Sequence, residues 1–214
     1  DTPFIARRLK DAKERLDCLK RKPRDNAPDV EAIYVAARKA DAIPAELVLK
    51  TGSETTLRGE LGKVLNYYNK ASGGAVIAAS ADLLGSTSVN VAAKGFPEGY
   101  YNSRTNPGSR VLSIGGICED AMCGILSGMA TYGRHIGAGS SYGAFIAALG
   151  HIASRLHAIG NQARQAIKTE PYKPYFLICA HAGVKTGEDG PTHADPQALQ
   201  ILQENFPKGT MITL

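Results

Sequence analysis

Tyr175-Phe-Leu-Ile-Cys-Ala-His-Ala-Gly-Val-Lys-Thr-Gly-Glu-Asp-Gly-Pro-Thr-His193 passes from an apolar run into a loop dense in turn formers. The first six residues suit a buried strand. Behind the loop, Asp195 is a good N-cap, Pro196 suits a first helical turn, and Leu199 and Leu202 share one face. Gly187 to His193 therefore joins a strand to a helix start. In open α/β sheets such loops lie at the carboxyl ends of strands, where ligands bind. Taken alone, Gly-Glu-Asp-Gly-Pro is also a plain polar turn. His181 before it and His193 at its end add chemistry that a turn does not need.

Working outward, the rest of the chain repeats this arrangement. Residues 56–71 read as a helix with Leu57, Leu61, Val64 and Leu65 inside, closed by Gly73-Gly74. Ala75-Val-Ile-Ala-Ala79 is a short apolar strand that runs into Ser80-Ala-Asp-Leu-Leu-Gly-Ser86. Residues 91–109, rich in Gly, Pro, Asn and Ser, read as a long loop. Arg110-Val-Leu-Ser-Ile114 is the next strand, followed by Gly115-Gly-Ile-Cys-Glu119 and a helix over 120–132. That helix carries Ala121, Gly124, Gly128 and Ala130, a small-residue face expected to be buried. Residues 133–140, with Arg134-His135, read as a Gly/Ser-rich loop before a helix over 141–158 that carries Tyr142 and Phe145. A helix over 196–205 and a strand from Thr210 complete a βαβαβαβ pattern. The expected fold is α/β, a parallel sheet sandwiched by helices.

The first fifty residues are set apart. Residues 3–22 form an amphipathic helix with Ile5, Leu9, Leu16 and Leu19 near one face, and Asp29 can cap a second helix running to Lys39. They read as a helical linker or arm that packs on something else, with 51–214 as one domain.

Composition narrows the function. The 214 residues are 43% hydrophobic and 21% charged, an ordinary globular balance. No apolar run approaches a membrane span, and the start has no secretory pattern. The scattered Cys18, Cys118, Cys123 and Cys179 make no metal spacing and read as buried free thiols of a reducing cytoplasm. Net charge is +5, but aromatics are 7%, tryptophan is absent, and bases are mixed with acids. A small anionic substrate is favoured over nucleic acid.

Three polar clusters each follow a strand: Ser80/Asp82/Ser86, then Glu119, then His181/Asp189/His193. If the strands are parallel, all three share one sheet edge. Arg58, Ser86 and His181 supply the cations and hydroxyls a phosphate needs, and histidine can move protons near pH 7. Phosphate-binding Gly-x-x-x-x-Gly-Lys-Ser/Thr and His-Glu-x-x-His are both absent.

With these residues quoted, the chain from about Thr55 resembles the pyrimidine-binding domain of transketolases. Gly187-Glu-Asp-Gly-Pro-Thr-His193 with His181 upstream is similar to the family signature, Ser80-Ala-Asp-Leu83 matches its Ser-Ala-Asp-Leu, and Glu119 falls at its essential glutamate. The resemblance implies transfer of a two-carbon ketol unit between ketose and aldose phosphates, as in the pentose phosphate pathway. It also implies thiamine diphosphate bound between two chains. Glu119 would bond the aminopyrimidine nitrogen, between the flanking rings of Tyr142 and Phe145. His193 and Asp189 would contact the ketose, and Arg58, Ser86 and His181 would hold its phosphate. Cys118 and Asp120 depart from the family pattern beside Glu119, as does Ala148 or Leu149 at a third aromatic position. Gly-Asp-Gly followed by Asn is absent, so the diphosphate and its Mg2+ or Ca2+ are expected on a separate diphosphate-binding domain. The partners implied are a homodimer or a heterotetramer. The chain is expected to be a fragment or split-gene product with an exposed sheet edge prone to self-association. Two other readings stay open: a related thiamine-diphosphate enzyme with another substrate, and a noncatalytic dimerisation or binding module.

Overall fold

The computed structural model describes residues 2–19, 27–39, 43–146, 173–180 and 190. In chain order its elements are α1 (Thr2–Leu19), α2 (Val30–Arg38), α3 (Leu57–Ala71), β1 (Val76–Ser80), β2 (Val111–Leu112), α4 (Glu119–Tyr132), β3 (Ile136–Tyr142), α5 (Gly143–Ile146) and β4 (Tyr175–Ala180). Short 3-10 turns cover Ala45–Leu47 and Val89–Ala93. The four strands form one sheet in the order β2-β1-β3-β4, and every pairing is parallel. Helices cover both faces. Val76 and Ala78 of β1 and Ile136 and Ala138 of β3 pack with Val30, Leu65, Val89 and Ala92. Ile77 and Ala79 pack on the other face with Met122, Cys123 and Leu126 of α4. The α/β sandwich expected from the pattern is what the chain forms.

Helix starts follow the capping rules. The Asp29 carboxylate accepts from Glu31 N–H (3.0 Å), and Thr56 Oγ1 accepts from Gly59 N–H (3.2 Å). The buried face of α3 differs from the apolar stripe. Leu57 is exposed, whereas Asn66 and Asn69 are buried beside Leu65. Their amides replace a ladder where the chain is irregular. Asn69 donates to Ala92 O (2.8 Å) and accepts from Val76 N–H (2.7 Å), and Asn66 donates to Lys94 O (2.7 Å). The strand expected at 110–114 shrinks to two residues, β2. Ahead of it, the Arg110 guanidinium donates to Gly108 O (2.9 Å) and Ser109 O (3.0 Å) and lies 5.3 Å from the Phe96 ring.

The largest correction is β3. Residues 133–140 were expected to be a loop and 141–158 a helix, yet Ile136–Tyr142 is a fully buried central strand paired on both sides. Tyr142 thus ends a strand, and helix begins only at Gly143. Turn-like composition conceals a packing requirement. A Cβ on Gly137 would sit 2.7 Å from Leu126 Cβ and 3.0 Å from Leu126 O, and one on Gly139 2.8 Å from Leu126 Cδ1. The glycines let α4 lie down on the sheet. Accordingly α4 buries Met122, Cys123, Leu126 and Ser127; of the expected small-residue face only Ala130 is buried, whereas Gly124 and Gly128 are exposed and Ala121 is half-buried.

The two initial helices behave differently. In α2, Val30 is buried in the core, and Asp29 N–H donates to Ser72 O (2.8 Å). Lys173 pairs with Glu31 and lies 4.9 Å from the Tyr34 ring. In α1, by contrast, Phe4, Ile5, Leu9 and Leu16 are all exposed. The expected remainder of the 141–158 helix, the helix over 196–205 and the strand from Thr210 lie outside the described residues. Among the described residues, no helix is long and apolar enough to cross a membrane.

Two predictions follow from the α4 contact. Gly137→Ala, whose new Cβ meets backbone that cannot yield, should cost about 1–3 kcal/mol in urea unfolding. In Gly139→Ala, where the new Cβ meets Leu126 Cδ1 at 2.8 Å, Leu126→Ala should add less than its own separate cost, because it removes that atom; wild-type stability in Gly137→Ala would contradict the packing. The second concerns pH. Burial pushes the Cys123 thiol up to about 12 and the Cys179 thiol up to about 11 from an ordinary 9.0, and raises the Tyr175 phenol that bonds Cys123. Each group binds its proton more tightly folded than unfolded, so its contribution is complete below the unfolded value and is lost as pH rises. Stability should therefore fall between pH 9 and 12, less steeply in Cys123→Ala; a flat profile across that window would refute the assignment.

Candidate functional site at the carboxyl edge of the sheet

The parallel strands put the ends of β1, β3 and β4 along one edge. Both α3 and α4 run back against the strands that follow them, so their N-termini return to the same edge. This brings Arg58, in the first turn of α3, and Glu119, the first residue of α4, to the ends of the strands. The loop after β1 lies there too: a Cβ on Gly62 of α3 would stand 2.8 Å from Ser88 O.

Glu119 is half-buried. Its Oε1 accepts a hydrogen bond from Ser141 Oγ at 2.8 Å. The bond joins the start of α4 to the tip of β3, and the carboxylate sits where the helix dipole favours a negative charge. Asp120 shares that first turn and is exposed, as is Cys118 at the N-cap. Cys123 is buried and Cys179 half-buried, so Cys118 departs from the expectation of buried thiols.

Next to Ser141, Tyr142 is only 6% exposed while Phe145 is 37% exposed. Their rings lie 6.4 Å apart, inclined by 17°. Successive strand residues face opposite ways. Gly137, Gly139 and Ser141 face α4, so Tyr142 faces the side of α3. Glu119 and the aromatic pair thus flank the tip of β3 from its two faces. A flat ligand in contact with both would lie across the tip.

The loop after β1 is built on hydroxyls. Ser80 Oγ donates to Ser140 O (2.8 Å) and accepts from Leu83 N–H (3.1 Å). Thr87 Oγ1 donates to Leu83 O (2.6 Å) and is 2.6 Å from Ser140 Oγ. These buried contacts hold Asp82 and Ser88 in left-handed conformations (φ 63° and 59°), uncommon for residues other than glycine. Ser86, carried outward by the same loop, is exposed, as is Asp82. Arg58 is half-buried.

Glu119 and the Tyr142–Phe145 pair therefore lie on opposite faces of the β3 tip, with Arg58 and Ser86 on the same edge of the sheet. His181, Asp189 and His193 lie outside the described residues. Ala180 immediately before His181 ends β4 beside Tyr142. Ser141, Ser140 and Thr87 were missed by sequence reasoning. For the two serines the signal is Ile136-Gly-Ala-Gly-Ser-Ser-Tyr142, an uncharged, proline-free heptapeptide bounded by large apolar residues. His135 lies at the opposite edge, before β3, where burial and then Arg110 hold its pKa below the ordinary value. Among the described residues, no group of three or more His, Cys, Asp or Glu side chains clusters as a metal site would require.

Known proteins place this edge in context. Residues 54–205 match the family model described as transketolase, pyrimidine binding domain. A protein of Methanocaldococcus jannaschii, provisionally described as a transketolase C-terminal section, is 29% identical over 144 residues, covering 67% of this chain and 36% of that protein. The chain spans about a third of the length of that relative. Transketolase from Campylobacter jejuni superposes with a TM-score of 0.55 at 22% identity, over 80% of this chain and 24% of the other. Transketolase from Leishmania mexicana gives 0.53 at 24% identity, over 81% and 24%. These likenesses support the fold, and the family match extends through the edge just described. The chain belongs to the transketolase pyrimidine-binding domain family.

Proposed function

We propose that this chain supplies the aminopyrimidine and substrate half of a composite thiamine-diphosphate site, in a cytoplasmic enzyme that transfers a two-carbon ketol unit from ketose to aldose phosphates. The observation that carries the reading is the Glu119 carboxylate, held by Ser141 at the carboxyl edge, with an aromatic pair across the tip of the same strand. A fixed acceptor and two near-parallel rings suit a flat heterocycle with a ring nitrogen to be bonded, so the residues present fit the aminopyrimidine. When bound, thiamine diphosphate supplies the nucleophilic carbon and the electron sink for breaking and remaking a carbon–carbon bond.

Each residue then has a part in binding or proton transfer. Glu119 holds a proton at the pyrimidine nitrogen, and partial burial strengthens that bond. Tyr142 and Phe145 set the plane of the ring. Asp189 and His193 contact the ketose, His193 at its reacting carbonyl and hydroxyl. Arg58, Ser86 and His181 hold the distal phosphate through charge-assisted hydrogen bonds. The diphosphate and its Mg2+ or Ca2+ belong to a diphosphate-binding domain, in a homodimer or a heterotetramer.

Complementation tests this reading. The chain is combined with a diphosphate-binding transketolase domain, and ketol transfer from a ketose phosphate to an aldose phosphate is followed. Glu119→Ala should lower the rate by at least about a hundredfold, as expected for loss of a positioned proton-transfer group. His193→Ala should be impaired as well. Full transfer activity in Glu119→Ala would overturn the role of the carboxylate.

A further inference from the structure

Helix α1 precedes the 54–205 family match, and its apolar side chains are exposed: Ile5 is 56%, Leu9 65% and Leu16 58% accessible. Ile5, Leu9, Ala12 and Leu16 recur at alternating steps of four and three, a seam about 80° wide together with Leu19 at 100° per residue. A seam with this spacing is the kind that meets another helix; Phe4 (66% accessible) stands about 100° off Ile5, under the Arg8 guanidinium. A shallow concavity beside the seam, on its Arg8 and Arg15 border, is lined by Arg8, Asp11, Ala12, Arg15 and Leu16. The first four stand at i, i+3, i+4 and i+7, the diamond that receives a single side chain from a facing helix.

Charge specifies the occupant. Arg8 and Arg15 border the seam on one side and Lys13 on the other, each within about 80° of its centre. Of the acids, Asp11 borders the concavity about 120° from the centre of the seam, between Arg8 and Arg15, while Glu14 and Asp17 stand at about 120° or more and Glu14 is paired with Lys10 (4.0 Å). A second copy of α1, parallel or antiparallel, would set bases against bases along both borders. A partner helix bordered by carboxylates would pair them instead. We propose that α1 is a docking helix for a partner α-helix whose apolar seam is flanked by acidic residues.

The test uses the whole 214-residue chain and a labelled heptad peptide with Leu and Ile at the seam and Glu on both flanks, read by fluorescence anisotropy. A Lys-flanked peptide and phosphatidylserine vesicles serve as competitors for the assignment. The Glu-flanked peptide should bind at least tenfold more tightly than the Lys-flanked one, and added salt should narrow the gap. Leu9→Asp should abolish binding. The triple change Arg8→Glu, Lys13→Glu and Arg15→Glu, confined to exposed positions, should invert the preference while circular dichroism stays unchanged. Equal binding of both peptides would overturn the proposal. So would self-association of the chain that Leu9→Asp removes, or binding to the vesicles without binding to the Glu-flanked peptide.

Discussion

The contact of α4 with β3 governs the geometry of this domain. A helix normally stands off a sheet by the depth of a side-chain layer. Here Gly137 and Gly139 remove one side of that layer, and Leu126 and Met122 fill the space. Glycine in a strand carries an entropic penalty and contributes no side-chain packing of its own. The return is proximity. With α4 seated closely and running back along β3, its first residue reaches the tip of the strand, and Glu119 meets Ser141 across twenty-two residues of chain.

On the opposite face the constraint is polar. Residues between β1 and β2 contain little regular structure, yet Val89, Ala92 and Thr87 are almost fully buried. A buried irregular backbone must find partners for its N–H and C=O groups. Asn69 serves Val76 N–H and Ala92 O, Asn66 serves Ala92 O and Lys94 O, and Ser80 serves Leu83 N–H. Side-chain amides and hydroxyls thus do here what a strand ladder does elsewhere. They also fix the position of the loop that carries Asp82 and Ser86 to the sheet edge.

This division explains what could be read from the sequence. Apolar runs in Val76–Ser80 and Tyr175–Ala180, and the helices α3 and α4, announce themselves by composition and periodicity. Glu119, at the start of such a helix and behind two glycines, follows from them. β3 does not, because its Gly-Ala-Gly-Ser-Ser core has turn composition, and only the identity of what packs against it makes it a strand. The same blindness moved Tyr142 into a helix and assigned the buried face of α4 to its glycines, when Met122 and Leu126 face the sheet. Small residues signal close approach without saying which partner is small: here the strand is, and the helix is not.

The consequence is sharpest at the end of β3. Ser140, Ser141 and Tyr142 are consecutive, and strand alternation sends them to alternate faces. Ser140 engages Thr87 on the α3 side, Ser141 engages Glu119 on the α4 side, and Tyr142 returns to the α3 side with Phe145. A slip of one residue would exchange the faces, turning the aromatic toward the carboxylate and the hydroxyl away from it. The register prevents this from both flanks, through Ser80 opposite Ser140 and Ala180 opposite Tyr142. The same slip would drive Ala138 and Ser140 into Met122 and Leu126, where only glycines fit. The packing of the helix and the order of functional groups at the strand tip are thus a single constraint, and neither can change without the other.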